Sequence, residues 1–266
     1  MISDGLRILR YAAASGFADF RTIYTVRTWI TGWLFRVLCQ VSFFALIGRL
    51  IDSPEYTEYL LIGNAVMIAA MESLFVVAST SWERWTGSVP LLIAAPASLA
   101  LVLCGRSVQW LASGTASATL ALFLLSPLFG VDLRLPMALV VIPLIALVGL
   151  STYCFGLILG GLVLRADSLR NVVGNLTMLS LMAISGAQVP VSVWPDWLQA
   201  LSAVLPVHHG LAAIRGVLSA EMGFTEVLMH VGMEAIVGTA SLGVAILGFK
   251  RFAESGRRSG AIEFGS

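Results

Sequence analysis

Lysine is all but missing from this chain. Lys250 is the only one, and Phe249 stands before it. The phosphate-cradling loop G-x-x-x-x-G-K-[ST] needs a glycine followed by lysine, so the chain cannot hold ATP by that device. Charge of either sign is scarce. Only 12% of the 266 residues are charged, where ordinary soluble domains carry about a quarter. The polar residues left beside 58% hydrophobic ones, at mean hydropathy +0.90, could not cover a folded core in water. The expected class is an all-α integral membrane protein, a single transmembrane domain over 1–266.

Other absences narrow the function. The three cysteines, Cys39, Cys104 and Cys154, lie within or at the ends of apolar runs, and no CxxC pair exists. They read as packing residues, not as a disulfide framework. There is no H-E-x-x-H, no G-x-S-x-G and no compact Ser/His/Asp group, so no catalytic residue and no metal site is expected. The adjacent His208 and His209 cannot place both rings on one helical face. The basic residues are scattered without interleaved aromatics, which excludes nucleic acid as a partner. No cleavable signal peptide is expected, because the first apolar run begins only after an amphipathic stretch.

Six segments are long enough to cross a hydrocarbon core of ~30 Å. They are Trp29–Leu50, Tyr59–Ser81, Cys104–Phe129, Pro136–Leu164, Val172–Val189 and Val227–Phe249. Six crossings put both termini on one side. Arg7, Arg10, Arg21 and Arg27, then Arg84 and Arg106, Arg165 and Arg170, and Lys250 to Arg258 fall on that side, which the positive-inside rule makes cytoplasmic. The expected location is the cell membrane, multi-pass.

Residues 2–26 form a separate unit. Leu6, Leu9, Ala13, Phe17, Phe20 and Tyr24 recur at steps of three and four, one apolar helical face with the arginines off it. Such a helix lies in the cytoplasmic interface or packs on a partner. Residues 190–225 are too apolar for a solvated loop and too broken by Pro190, Pro195 and Pro206 to span. They read as two short helices, one carrying Trp197, Leu198 and Leu201, the other Leu211, Ile214 and Leu218. The end, SGRRSGAIEFGS, reads as a flexible part of a cytoplasmic tail over 250–266.

Charges inside spans are informative because each costs at least ~2.5 kcal/mol in hydrocarbon. Arg36 and Glu72 sit at similar depth in the first two spans, roughly 10 Å and 13 Å from the inner side. An ion pair or a shared polar cavity is one reading. The other has Arg36 reaching the inner headgroups and Glu72 carrying a proton. His230 and Glu234 lie one turn apart and either line an exit path or bond to the outer helices. Gly156 and Gly160 form a small-residue face suited to close helix packing.

The stretch ERWTGSVPLLIAAPAS, from Glu83 to Ser98, carries two charges and two prolines between two apolar runs. Trp82 and Trp85 suit the inner interface. Gly87 breaks the preceding helix, Ser88 can cap the next, Pro90 fits a first turn, and Pro96 prevents extension. What remains is a helix over Val89–Ala95, about two turns, too short to stand alone. Leu91, Leu92 and Ile93 need either a partner surface or the chain's own bundle.

These residues resemble permeases of the ABC type-2 (type V) exporter family, in its drug and natural-product branch. That family has an acidic residue, then G-T-[apolar]-E-x-L-L, then an apolar-Pro-small motif between its second and third spans. Here Glu83 is followed by Gly87-Ser88-Val89-Pro90-Leu91-Leu92 and Ala95-Pro96-Ala97-Ser98. A second element before the last span reads Ser185-Gly186, Pro190, Pro195, Trp197-Leu198-Gln199, Pro206, His209 and Arg215. The resemblance implies that Glu83, Gly87, Ser88, Pro90, Leu91, Leu92 and Pro96 belong to a coupling helix docking on a separate ATPase. It implies that Gly186 to Arg215 form outer re-entrant helices. ATP and magnesium would be held by that ATPase, and no cofactor by this chain. The further partners implied are a second permease, identical or a sister, the bilayer, and an amphiphilic cargo: a drug, peptide, lipid or natural product. Export of a lipid-linked polysaccharide is the alternative within transport. An intramembrane enzyme or an ATPase-independent membrane protein is the alternative outside it. Ser88 stands for the usual Thr, and Pro90 for the usual Glu, which leaves Glu83 as the acidic contact for the partner.

Overall fold

In a bilayer the backbone must satisfy its own hydrogen bonds, which drives an apolar chain into helices. The structure, a computed structural model, describes residues 2–95, 97–133, 137–219 and 222–259, and all regular structure among them is helical. After α1 (Ile2–Ile23), α2 (Val26–Thr28), a π-helical stretch (Trp29–Leu34) and α3 (Phe35–Leu50) run on as one apolar helix. Thr25 and Thr28 cap its start reciprocally, each hydroxyl accepting from the other's backbone N–H. α4 (Pro54–Ser73) and α5 (Val76–Trp85) form the next rod. Ser53 Oγ accepts from Tyr56 N at 3.2 Å, and Pro54 opens the helix where its missing N–H costs nothing. α6 (Ser88–Ala94) is the short helix, and α7 (Leu99–Phe129) begins five residues earlier than the expected third span. α8 (Met137–Val163), α9 (Arg170–Ile184), α10 (Asp196–Val204), α11 (His208–Ser219) and α12 (Phe224–Ser259) complete the chain.

Among the described residues five helices are long and apolar enough to cross a membrane, or six if α10 and α11, bent by 88°, count as one. The expected fifth span over Val172–Val189 is corrected. α9 has 15 residues, about 22 Å, short of a ~30 Å core. Gly186 adopts φ +88 and turns the chain, so residues 186–189 leave the helix. The expected flexible end is also corrected: α12 stays helical through Ser259, and residues 260–266 lie outside the described residues.

α4 is the centre. Leu61, Ala65, Ile68 and Ala69 are fully buried, and α4 packs on α3, α7 and α8. Lipid is as apolar as leucine, so close packing of small residues drives this association more than water exclusion does. The clearest case is α8 on α5. A Cβ on Gly156 would sit 2.5 Å from Val76 Cγ1, and one on Gly160 would sit 2.8 Å from Thr80 Oγ1. α1 lies along α7 through buried Ala12 and Gly16. Of the expected apolar face, Leu6 and Phe17 stay exposed, Phe17 beside Val108 and Leu111 of α7.

Candidate coupling corner, polar cavity and outer turn

The chain turns from α5 into α6 at Gly87, whose φ of +70 only glycine adopts without strain. Ser88 is not the cap expected of it. Gly87 holds the N-cap position, and the Ser88 hydroxyl turns back to donate to Glu83 Oε2 at 2.6 Å. Pro90 sits in the first turn with its side chain buried. The seven-residue helix finds its supporting surface in its own bundle: Val89 and Ile93 pack among Leu99, Leu103, Phe249 and Ala253. At its end, Arg257 of α12 donates from Nε to Ile93 O at 2.9 Å and from Nη2 to Ala95 O at 3.2 Å. A cation on the last carbonyls of a helix is favourable. The opposite face remains open. Leu91 is 68% exposed, Leu92 is half-buried, and Trp82 and Trp85 stand exposed beside them. Pro96 lies outside the described residues.

Glu83 does not present itself to a partner, contrary to expectation. It is buried, and its Oε1 accepts from Arg106 Nε. The same guanidinium donates from Nη1 to Ser15 Oγ at 2.7 Å and from Nη2 to Asp19 Oδ2 at 3.0 Å. A carboxylate taken out of water needs this neutralisation. Arg106 thereby ties α5, α6 and α1 to α7. Sequence reasoning took Arg106 for a loop charge, and no local pattern could have paired it with residues 23, 91 and 87 positions away.

Arg36 and Glu72 form no ion pair. Arg36 stacks on Trp33 at 4.4 Å and donates to Gln40 Oε1 at 3.4 Å. Glu72 is 1% exposed, and its Oε2 accepts from Ser113 Oγ at 2.6 Å, which in turn accepts from Trp29 Nε1 at 3.1 Å. Its Oε1 has no partner, nor does buried Trp33 Nε1. Both residues instead line one cavity of about 450 Å³ between α3, the α4–α5 rod and α9, together with Arg170, Asn171 and Asn175.

Glu234 and His230 are ties to α11 and the turn that precedes it. Glu234 is fully buried and accepts from Val207 N at 3.0 Å, Gly210 N at 2.9 Å and Ser151 Oγ. It thus caps α11 from another helix. Val207, β-branched at φ +87, is strained by about 1–3 kcal/mol, and the carboxylate helps to hold it there. His209 Nε2 lies 3.0 Å from Ala203 O, and its Nδ1 lies 3.1 Å from His230 Nδ1. A carbonyl can only accept, so His209 Nε2 carries a hydrogen. Arg215 reaches Gly186 O at 2.8 Å, Tyr59 O at 3.0 Å and Ala187 O at 3.3 Å, with its guanidinium 3.5 Å over the Tyr59 ring. Pro190 precedes the 3-10 turn Val191–Val193, Pro195 holds the N-cap position of α10, and buried Pro206 leads into Val207. Trp197 is exposed on α10. Among the described residues no group of three His, Cys, Asp or Glu is placed to hold a metal.

The profile of the family described as ABC-2 type transporter matches residues 19–219, a stretch containing all three sites save Ser15, His230, Glu234 and the α12 residues that support α6. Nodulation protein J of Sinorhizobium fredii (strain NBRC 101917 / NGR234) is 28% identical over 173 residues, which cover 64% of this chain and 64% of that protein.

Proposed function

Because the chain belongs to the ABC-2 type transporter family, whose members are membrane transport subunits, we propose that it is the permease of an ATP-driven exporter, moving an amphiphilic compound out of the cytoplasm or inner leaflet. One observation carries this reading. A chain with no P-loop holds out a two-turn helix whose inner face is fastened to the bundle and whose outer face is apolar and open. Such a surface suits a separate ATPase that supplies the missing site. The termini and α6 then lie in the cytoplasm, α1 lies at the inner interface, and a second permease completes the pathway. ATP and magnesium are held by the ATPase.

The docking rests on shape and apolar contact. Position 90 faces the bundle, so a proline there takes nothing from the open face. Closure of the ATPases displaces α6 as a rigid piece. The displacement reaches α1 through Ser88, Glu83 and Arg106, and α12 through Arg257. Co-expression with the cognate ATPase tests this. Leu91→Asp places a charge on the open face and should weaken co-purification at least tenfold with folding intact. Undiminished association would remove the exporter reading.

A further inference from the structure

Arg36 is the eleventh of the 25 residues of the α2–α3 helix, about 15 Å from its start. An arginine at that depth is costly and marks a functional site by default. Yet it is exposed on the subunit surface, and neither it nor Arg170 forms an ion pair with a described residue. Arg170, across the cavity, stacks on Trp85 at 4.8 Å and has one long bond to Ser81 Oγ at 3.4 Å. The cavity thus sets two guanidiniums against the single carboxylate of Glu72. Two of its buried polar atoms, the acceptor Glu72 Oε1 and the donor Trp33 Nε1, lack a hydrogen bond of normal geometry, although Trp33 and Ser117 lie close to the carboxylate. Such atoms are costly unless something bonds to them. The rest of the wall is apolar, with Ile68, Met71, Phe75 and Met178. A cavity of about 450 Å³ with a few convergent polar groups falls in the range of small-molecule sites.

We infer that this cavity binds the head of an acidic amphiphile. A phosphate, sulfate or carboxylate group lies between Arg36 and Arg170, a hydroxyl of the same head meets Glu72 Oε1, and the tail leaves along Met71, Phe75 and Met178. Guanidinium suits this role because its fork of donors matches an oxyanion and it is always charged. This rests on the transport reading for its biological meaning, since the bound amphiphile is then cargo or a lipid standing in its path.

The test uses the full chain in phosphatidylcholine nanodiscs, without ATPase, titrated with radiolabelled dodecyl phosphate. Saturable binding is expected, weakened at least tenfold by Arg36→Gln and by Arg170→Gln, and largely restored by Arg36→Lys. Met178→Trp should fill the cavity and block binding without altering charge. Dodecyltrimethylammonium and dodecyl maltoside should not compete. Unchanged binding in the Arg36→Gln/Arg170→Gln double variant, or displacement by the cationic detergent, overturns the inference. Unaltered melting of the variants keeps misfolding apart from lost binding. Repeating the titration with phosphatidylglycerol in the disc separates the sources. Competition assigns the head to a resident lipid, its absence to a diffusible amphiphile, and both support the site. ATPase association is read separately, so loss of anion binding with association retained removes this inference and leaves the transport reading standing.

Discussion

Glu83 and Glu234 are both buried carboxylates, and α12 supports both of their surroundings, yet they are satisfied in opposite ways. Glu234 takes two backbone N–H groups of a single turn, with one serine beside them. Glu83 takes a guanidinium that also grips α1, and the hydroxyl of the first residue of α6. The first arrangement fixes one helix end through its backbone and ties it to Ser151 of α8. The second joins four helices, α1, α5, α6 and α7, through side chains that can re-form their contacts as those helices shift. On the proposed coupling role, the Glu83 corner transmits movement and the Glu234 corner holds its turn in place.

Removing each carboxylate should expose that difference. Glu234→Ala strands the N–H groups of Val207 and Gly210 in a buried, strained turn. A loss of about 2–5 kcal/mol is expected, read as a lower melting temperature of the solubilised chain, and no second substitution in the turn should recover it. A melting point within a degree of the parent would mean that the turn does not depend on Glu234. Arg106→Ala should cost about 2 kcal/mol by leaving Glu83 buried with a charge. Here the double variant Glu83→Ala/Arg106→Ala should be more stable than the sum of its parts by at least ~1 kcal/mol. Strict additivity would contradict a direct tie. The same double variant should retain ATPase binding but lose cargo-stimulated hydrolysis, because α1 is uncoupled from α6. Smallest of all, Arg257→Ala should cost about 0.5–1 kcal/mol and raise amide exchange in α6 alone. Faster exchange spread through α12 would show that Arg257 supports more than the α6 carbonyls.

Periodicity and composition made the helical class, most of the spans and the short α6 legible, because each depends on contiguous residues. Gly87 was readable for the same reason: a break before a capped, proline-bearing stretch. The failures share a cause. Val172–Val189 is apolar enough to span, but the left-handed turn at Gly186 and the carbonyl contacts of Arg215 end α9 early. Ser88 is a good cap by type, but a carboxylate five residues back competes for its hydroxyl. Glu83 looked available because its cation is 23 residues away on another helix, which no local pattern links to it. Of the reading that gave Arg36 and Glu72 an ion pair or a shared polar cavity, the cavity holds and the pair fails, because matching depth does not fix rotation about the helix axis.

The most direct test is a photo-crosslinker placed at position 91 in the assembled complex. Leu50, exposed at the far end of the α2–α3 helix, serves as the comparison. If the open face of α6 docks the ATPase, position 91 should crosslink to that subunit and position 50 should not. No adduct at 91, or equal adducts at both positions, would contradict the assignment of α6 as the coupling helix.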